Sequence, residues 1–588
     1  MKFEEKALKA IVESLSETIA AARGEVPADI RFENCRIVNV FSGEIQDGDI
    51  VVAGGRIVGF GPLPAKDVRD MKGLYAAPGL IDAHVHIESS MTCPSQFAAA
   101  VLPHGTTTVV ADPHEIANVM GTAGIAYMLD SSADLPANVL FTLSSCVPAT
   151  SMETSGAVIG PAEIAEWISN DRIPALAEMM NFPGVLFRDP EVLQKIAVAT
   201  AAGKPIDGHS PGLSGADLTA YLAAGIRSDH ECVSLTEARE KLRQGMFIMV
   251  REGSGAKNAR TLMPLVGSDT WHRMMWCTDD RNPHDLVQEG SIDVLLRMAV
   301  SMGIDPVTAI RMGTLVPATY FGLHHLGAIA PGRQADLVFF QDLESFTAEE
   351  VYWKGKRVAA GGVLDAAVTF AEPDVPPSTM HIEAEQLDFR LQATGSRIRV
   401  IEIVPDQIVT RAGIDDAYVQ EGLFVSDVRR DLLKLAVIER HGRSGTKAVA
   451  FVRGFGLRSG ALASSVAHDS HNVIVVGTSD ADMQVAVVAV RDMGGGIVVV
   501  NEGRILERLA LPIAGLLSTL PVTEIAERLH RLVQAAHSLG CPLKDPFMTL
   551  SFLALPVIPV LKLTDMGLVD VGRFDIVPLV FQENEEVL

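Results

Sequence analysis

At 588 residues, with 48% hydrophobic and 21% charged side chains, the chain is too long for one core and reads as a folded protein of about three or four domains. Lys and Arg number 49 against 73 Asp and Glu, a net charge of −24, which excludes the basic footprint that nucleic acid or an anionic membrane needs. Six scattered cysteines with no C-x-x-C pair fit a reduced, cytoplasmic protein better than a disulfide framework.

Residues 1–25 show no basic-then-apolar signal pattern. Leu8, Ile11, Val12, Leu15 and Ile19 recur at helical spacing among Glu and Lys, which predicts an amphipathic helix. Residues 26–78 then carry short β-type runs at Arg36–Val40, Asp49–Ala53 and Arg56–Gly61, with Gly54-Gly55 as a hairpin turn. A matching stretch returns in 327–370, at Ala335–Phe340 and Val351–Val358, with a turn at Lys354-Gly355-Lys356. The simplest account is one small β domain, of sandwich type, built from both flanks of a larger insertion.

Within that insertion, 79–326, strand candidates alternate with helix candidates. The strands are Leu80–His86, Thr106–Ala111, Asn138–Cys146, Pro174–Met180, Lys204–His209, Gly225–His230, Met246–Arg251 and Arg273–Thr278. Helices are expected at Pro190–Ala202, Gly215–Ala224, Leu235–Gln244 and Asp285–Met302, among others. Eight β-then-α units in roughly 250 residues match a (β/α)8 TIM-like barrel in count and length. An open doubly wound sheet would carry a Gly-rich phosphate loop after its first strand, and none is present.

A linker with Pro373, Pro376 and Pro377 leads into an additional C-terminal α+β domain, 371–588. It is expected to mix strands at Val473–Val476 and Ile497–Val500 with helices at Asp431–Arg440, Ala481–Met493 and Thr523–Leu539. Ser479 or Asp480 suits the cap of the middle helix, and Gly494-Gly495-Gly496 a helix stop. The apolar runs Leu511–Leu520 and Phe552–Val560 are too short to span a bilayer.

A barrel of this kind places its chemistry at the C-terminal ends of the strands, and metal-ligand residue types fall there. His84 and His86 are two apart, so on a strand they project from one face. Glu178 lies on the fourth strand, His209 ends the fifth, His230 the sixth, and Asp279 follows the eighth. Four imidazoles and two carboxylates suffice for two divalent ions, with one carboxylate able to bridge them. A lone Glu178 in the apolar run A-L-A-E-M-M would be costly to bury unless paired or metal-bound. The string His114-Glu115-Ile116-Ala117-Asn118 nearly matches the zinc-protease H-E-x-x-H, but the second histidine is replaced by Asn118. The cysteine half of the zinc cytidine-deaminase signature is also missing.

The pattern G-L-I-D-A-H-V-H, then Glu178, His209, His230 and Asp279, resembles the amidohydrolase superfamily of metal-dependent hydrolases. The strings I-E-S-S-M (Ile87–Met91), A-D-P-H-E-I-A-N-V (Ala111–Val119), G-H-S-P (Gly208–Pro211), S-D-H-E (Ser228–Glu231), V-R-E-G-S (Val250–Ser254), C-T-D-D-R (Cys277–Arg281) and H-D-S-H-N (His468–Asn472) narrow the resemblance to its bacterial adenine deaminase family, over essentially the whole chain. The resemblance implies that His84, His86 and Asp279 hold one metal and His209 and His230 the other, with Glu178 bridging. Spacing alone leaves Asp279 and Asp280 equivalent; the family pattern selects Asp279. Many relatives bridge with a carbamylated lysine, and glutamate here removes that need.

The implied reaction is hydrolysis of adenine to hypoxanthine and ammonia, with Asp279 moving the proton from the attacking hydroxide to the departing amino group. Attack at C6 also needs a proton or strong hydrogen bond at N1, for which Glu115, Glu231 and His114 are unranked candidates. Substrate contacts are expected at Ser89, Ser90 and Asp112, at Arg251 and Glu252 ending the seventh strand, and at His468, Asp469 and His471, read as a loop over the barrel mouth. Two divalent ions per subunit are implied, Mn2+ or Fe2+ favoured and Zn2+ possible by ligand type. The expected partner is a purine base, with no nucleic acid or membrane, in a homodimer or higher homo-oligomer. The competing readings are a cyclic-amide hydrolase of dihydroorotase or hydantoinase type, which favours a bridging lysine, and a non-catalytic barrel, which typically loses ligands.

Overall fold

The computed structural model describes residues 5–383, 387–405 and 407–582. The N-terminal helix runs Glu5–Ala22, and its stripe Leu8, Ile11, Val12, Leu15 and Ile19 stays exposed. The flanking β segments join in one nine-stranded hydrogen-bonded sheet. Its order is Val363–Leu364, Lys356–Ala360, Ala348–Trp353, Leu337–Phe340, Tyr75–Pro78, Ala28–Val38, Ile45–Ala53, Arg56–Phe60, with Ala65–Asp70 also beside Ala28–Val38. Where a two-sheet sandwich was expected, the strands share one network, because the long Ala28–Val38 strand carries both Ala65–Asp70 and Tyr75–Pro78. It kinks between them at a bulge spanning Phe32 to Cys35.

Between the two flanks, parallel strands form three hydrogen-bonded sets. The first is Asp279–Asp280, Leu80–His86, Thr106–Ala111 and Asn138–Phe141; the second is Leu176–Met179 with Ile206–Gly208; the third is Ser228–Asp229, Phe247–Arg251 and Met274–Cys277. Backbone bonds link them: Phe141 N–H to Arg172 C=O at 3.0 Å, Leu143 N–H to Ala175 C=O at 3.0 Å and Ala177 N–H to Leu143 C=O at 2.9 Å join the first to the second, and Arg227 N–H to Ile206 C=O at 3.0 Å joins the second to the third. The third set returns to the first at Thr278, whose N–H and hydroxyl donate to Asp82 at 3.1 and 2.5 Å. Leu80–His86 is buried at every position, as parallel strands covered on both faces are.

Several strands stop short of expectation because side chains take over from the ladder near the site. Gly225–His230 reduces to Ser228–Asp229, and the Asp229 carboxylate accepts from the N–H groups of Ser210 and Glu231. The expected helix Asp285–Met302 is two, Pro283–Gln288 and Ile292–Ser301, broken at Gly290 with φ +109.

The C-terminal region centres on an eight-stranded sheet ordered Thr410–Asp416, Arg397–Ile403, Lys447–Arg453, Leu433–Ile438, Val473–Gly477, Ala461–Ser464, Gly496–Asn501, Arg504–Ala510. Ser479 caps the helix Asp480–Asp492, accepting from Asp482 N–H at 3.2 Å, and a second long helix runs Val522–Ser538. The helix expected at Asp431–Arg440 is instead the strand Leu433–Ile438, buried throughout and paired on both sides. A short apolar run of this kind has no face to reveal its period, and its one charge, Lys434, is neutralised by Asp480 at 2.7 Å.

This region packs onto the loops that leave the parallel strands. Thr154 N–H donates to Asp565 at 2.9 Å, Asn472 Nδ2 to Thr154 C=O at 2.9 Å, and Thr564 Oγ1 to Met152 C=O at 2.6 Å. Ser518 N–H donates to Met91 C=O at 2.8 Å, pinning the turn that follows His86. No helix among the described residues is long and apolar enough to cross a membrane.

Candidate metal centre

His84 and His86 extend from one face of their strand, and their Nε2 atoms lie 3.2 Å apart. His86 Nδ1 faces Asp112 C=O at 3.1 Å. A ring N–H donated there leaves the Nε2 lone pair aimed into the site, the usual orientation of a ligating imidazole. Asp279 Oδ1 stands 3.6 Å from His84 Nε2 and 3.1 Å from His86 Nε2. Asp279 adopts φ +58 and pairs beside Val85, so the eighth strand turns its carboxylate toward the first strand's histidines.

Glu178 lies between two imidazole pairs. Its Oε1 is 3.9 Å from His84 Nε2 and 3.5 Å from His86 Nε2. Its Oε2 is 2.7 Å from His209 Nδ1 and 3.2 Å from His230 Nε2. The rings of His84 and His230 stack 4.2 Å apart at 18°, bringing the pairs side by side. Imidazole and carboxylate atoms converge in several overlapping groups, among them His84 with His86 and Asp279, His84 with Glu178 and His230, and His209 with His230 and Glu231, a donor set that fits divalent cations.

Electrostatics support the same donors. Burial pushes the Glu178 carboxyl up, but the charges and hydrogen bonds of His230 and His209 prevail and hold it well below its ordinary range. Asp279 is likewise penalised by burial and held well below its ordinary value by Arg251 and by bonds from His84 and His86. Arg251 Nη1 donates to Asp279 Oδ2 at 2.6 Å and to Glu231, while its Nη2 reaches Glu231 Oε2 at 3.1 Å. Glu231 is therefore held ionised: burial raises its proton affinity, and the charges of Arg251, His209 and His230 together lower it by more. Glu115 goes the other way, raised well above its ordinary value by burial and by the neighbouring Glu88 carboxylate.

The remaining expected residues divide. His114, Glu115, Glu231, Arg251, His468 and Asp469 line the cavity beside His86, Glu178, His209, His230 and Asp279. His114 Nδ1 lies 3.4 Å from Glu178 Oε1, and its Nε2 lies 3.8 Å from Asp469 Oδ1. Ser89 Oγ donates to Asp280 at 2.5 Å and lies 3.2 Å from Glu115, so it ties these two acids together behind the cavity surface. His471 Nδ1 accepts from Ala467 N–H at 3.2 Å, which leaves Nε2–H facing Glu115 Oε2 at 3.7 Å, again behind the surface.

Three further expected substrate contacts do not face the cavity either. Ser90 spends its hydroxyl on Ile87 C=O at 2.5 Å and on Thr92 at 2.6 Å, closing the turn after His86. Asp112 accepts from His114 N–H at 3.1 Å and so anchors the helix His114–Met120. Glu252 alternates to the far side of its chain from Arg251 and accepts from Ala259 N–H at 3.3 Å.

The cavity also has walls the sequence reading missed. Met180, Gly255, Ala256, Asp280, Ile408, Met548, Phe552, Leu555, Val557 and Ile558 line it. The signal was present in the spacing of Met548, Phe552 and Leu555, which puts them on one side of the helix Pro546–Phe552 and the turn after it. The run Phe552–Val560 was weighed only as a membrane segment; its partners lie across the domain junction.

A parallel α/β scaffold with this donor set defines a metal-dependent hydrolase, and residues 75–358 match the amidohydrolase family, which is metal-dependent. Residues 407–575 match the adenine deaminase C-terminal domain. The adenine deaminase of Desulfatibacillum aliphaticivorans is 51% identical over 563 residues, 96% of this chain and 99% of that protein. The adenine deaminase of Dehalococcoides mccartyi is 47% identical over 567 residues, with the same two shares. The chain belongs to the adenine deaminase family. Among solved structures, the dihydropyrimidinase of Brevibacillus agri is similar at 17% identity and a TM-score of 0.44, over 58% of this chain and all of that one.

Proposed function

We propose that this protein is an enzyme that hydrolyses adenine to hypoxanthine and ammonia, in the salvage or breakdown of purine bases. The observation that carries this reading is near full-length identity to adenine deaminases, extending through the C-terminal domain that walls the cavity. Two divalent ions, Mn2+ or Fe2+, would be held by His84, His86 and Asp279 and by His209 and His230, with Glu178 between them. Bound there, such ions supply the Lewis acidity that brings water to hydroxide near neutral pH.

The chain's own residues handle orientation and protons. Asp279, ionised by Arg251, accepts the proton of the attacking water and returns it to the C6 amino group, so ammonia leaves and the oxygen stays on the ring. Of the three candidates for the N1 proton, Glu231 is committed to Arg251, whereas Glu115 keeps its proton through burial and Glu88. Glu115 is thus the acid, with His114 between it and Glu178 as an orienting donor. His468 and Asp469 close the cavity from the C-terminal side.

In this reading the eight parallel strands are one closed barrel, supported by the hydrogen bonds that join their three sets. The units are 1–25, 26–78 with 327–370, 79–326 and 371–588, working in the cytoplasm as a homodimer or larger homo-oligomer. Ammonia release from a panel of purines, by protein loaded with manganese, is the direct test. Release from adenine is expected; none from adenine together with turnover of a cyclic amide overturns the reading.

A further inference from the structure

We propose that Lys562 of the C-terminal domain is a positioning residue for the reaction: its amine ties together two segments of the cavity wall and through one of them sets the place of His468. The role rests on the deaminase reading and goes beyond it, to a residue that stands behind the cavity lining.

Lys562 lies on the strand Leu561–Thr564, buried at every position. Its Nζ donates to Ile408 C=O and to Phe552 C=O, both at 2.8 Å. These two residues are far apart in the chain, and both line the cavity. Thr410 fastens the same seam: its hydroxyl donates to Leu561 C=O at 2.8 Å and accepts from Leu561 N–H at 3.1 Å. Among the described residues no carboxylate offsets the buried amine, and burial pushes it down to about 7. An amine in such surroundings is costly, and an apolar side chain would fill the space more cheaply. What only the amine supplies is a pair of hydrogen bonds to two separate carbonyls, with N–H groups enough for both even when it is neutral.

The hold reaches the reacting groups through Phe552. Its ring stacks on His468, 4.5 Å between centroids at 22°, and the C=O of the preceding Ser551 accepts from His468 N–H at 3.2 Å. His468 is thus gripped at ring and backbone by the two residues next to the carbonyl that Lys562 binds. His468 lines the cavity, with Nδ1 3.6 Å from Oε1 of Glu115, the acid assigned to N1. Lys562 acts on the base only through this succession of contacts. A displacement of about 1 Å at such a group costs up to about 100-fold in rate.

Lys562→Met keeps most of the apolar stem and removes the donors. It is expected to lower kcat for adenine by about tenfold or more, with bound metal unchanged and KM moved by less than kcat. A purely structural lysine would lower the denaturation midpoint and leave kcat per folded molecule in place, so a kcat within about twofold of wild type overturns the role. Phe552→Leu takes the ring off His468 and leaves the carbonyl for Lys562, and it tests the same relay where Lys562→Met does not fold. Its kcat is expected to fall by about threefold or more, and a wild-type kcat overturns the relay. In the double variant the losses are expected not to multiply, since both act through His468; losses that multiply overturn the relay as well. Wild-type protein that releases no ammonia from adenine overturns the deaminase reading and this role with it, whereas wild-type turnover beside an unimpaired Lys562→Met overturns the role alone.

Discussion

His209 Nδ1 stands 2.7 Å from Oε2 of Glu178, while the other oxygen of the same carboxylate faces His86 at 3.5 Å. One side chain thus addresses both imidazole pairs, and a neutral amide in its place weakens both. Glu178→Gln is expected to lower bound divalent metal from two equivalents to one or fewer and activity by at least about 100-fold. Retention of both equivalents after dialysis, read by elemental analysis, would show that Glu178 is no bridge.

Arg251 governs the protonation of the site's acids. Its guanidinium holds Asp279 and Glu231 below their ordinary values, so both stay ionised as pH falls. Without it each takes up a proton at higher pH. Arg251→Met is expected to move the acid limb of the kcat/KM profile upward and to lower the plateau by about 10–100-fold. An acid limb left in place would mean that neither acid controls it.

Lys241 and Asp229, both fully buried, lock the loops carrying His209 and His230. Lys241 Nζ reaches Asp229 at 3.0 Å and Ser210 C=O at 2.7 Å, and Asp229 takes the N–H groups of Ser210 and Glu231. Removing one partner leaves a buried charge alone, and Lys241→Met is expected to cost about 3–5 kcal/mol in chemical denaturation. Burial raises the Asp229 carboxyl, and Lys241, the His230 charge and a hydrogen bond from Cys232 together bring it down to about 2. The unfolded value is near 3.9, so this stabilisation is complete above about pH 5 and fades as pH falls through 4 toward 2. A Lys241→Met protein with wild-type stability at pH 7 contradicts the assignment.

Glu153 gives the opposite slope. Burial first, then the Asp469 charge, pushes its carboxyl up to about 8, at the junction where Thr154 meets Asp565. The folded state prefers this acid protonated. Stability should therefore decline as pH rises from about 4.5 to about 8, and level off above that. Glu153→Gln is expected to remove this decline, measured as denaturation midpoint against pH; identical slopes in both proteins would refute it.

The clustering of the candidate metal donors was legible because strand ends and alternation set where they project. His84 and His86 share a face by strand alternation, His209 and His230 end their strand candidates, and Asp279 follows the apolar run M-M-W-C. What spacing cannot reveal is which long-range partner a polar side chain takes. Ser90 and Asp112 sat in the right strings yet turned to local backbone groups, and Arg251 spent its guanidinium on Glu231 and Asp279. The strand Leu433–Ile438 was misread for a similar reason, since burial on both faces erases the periodicity that separates helix from strand. The spacing of Met548, Phe552 and Leu555 marks a one-sided apolar stretch, but docking across hundreds of residues decides that it walls the cavity.

The peptide bond between Leu517 and Ser518 reaches back to Met91, only five residues beyond His86, and the cavity wall follows still later in the chain. During synthesis, therefore, the candidate donors His84 to Asp279 are all made before the wall at Met548 to Ile558. A partial chain ending before Pro546 would have a cation trap without a reaction vessel. Finished enzyme activity is then a readout that the chain has been completed and its last domain seated.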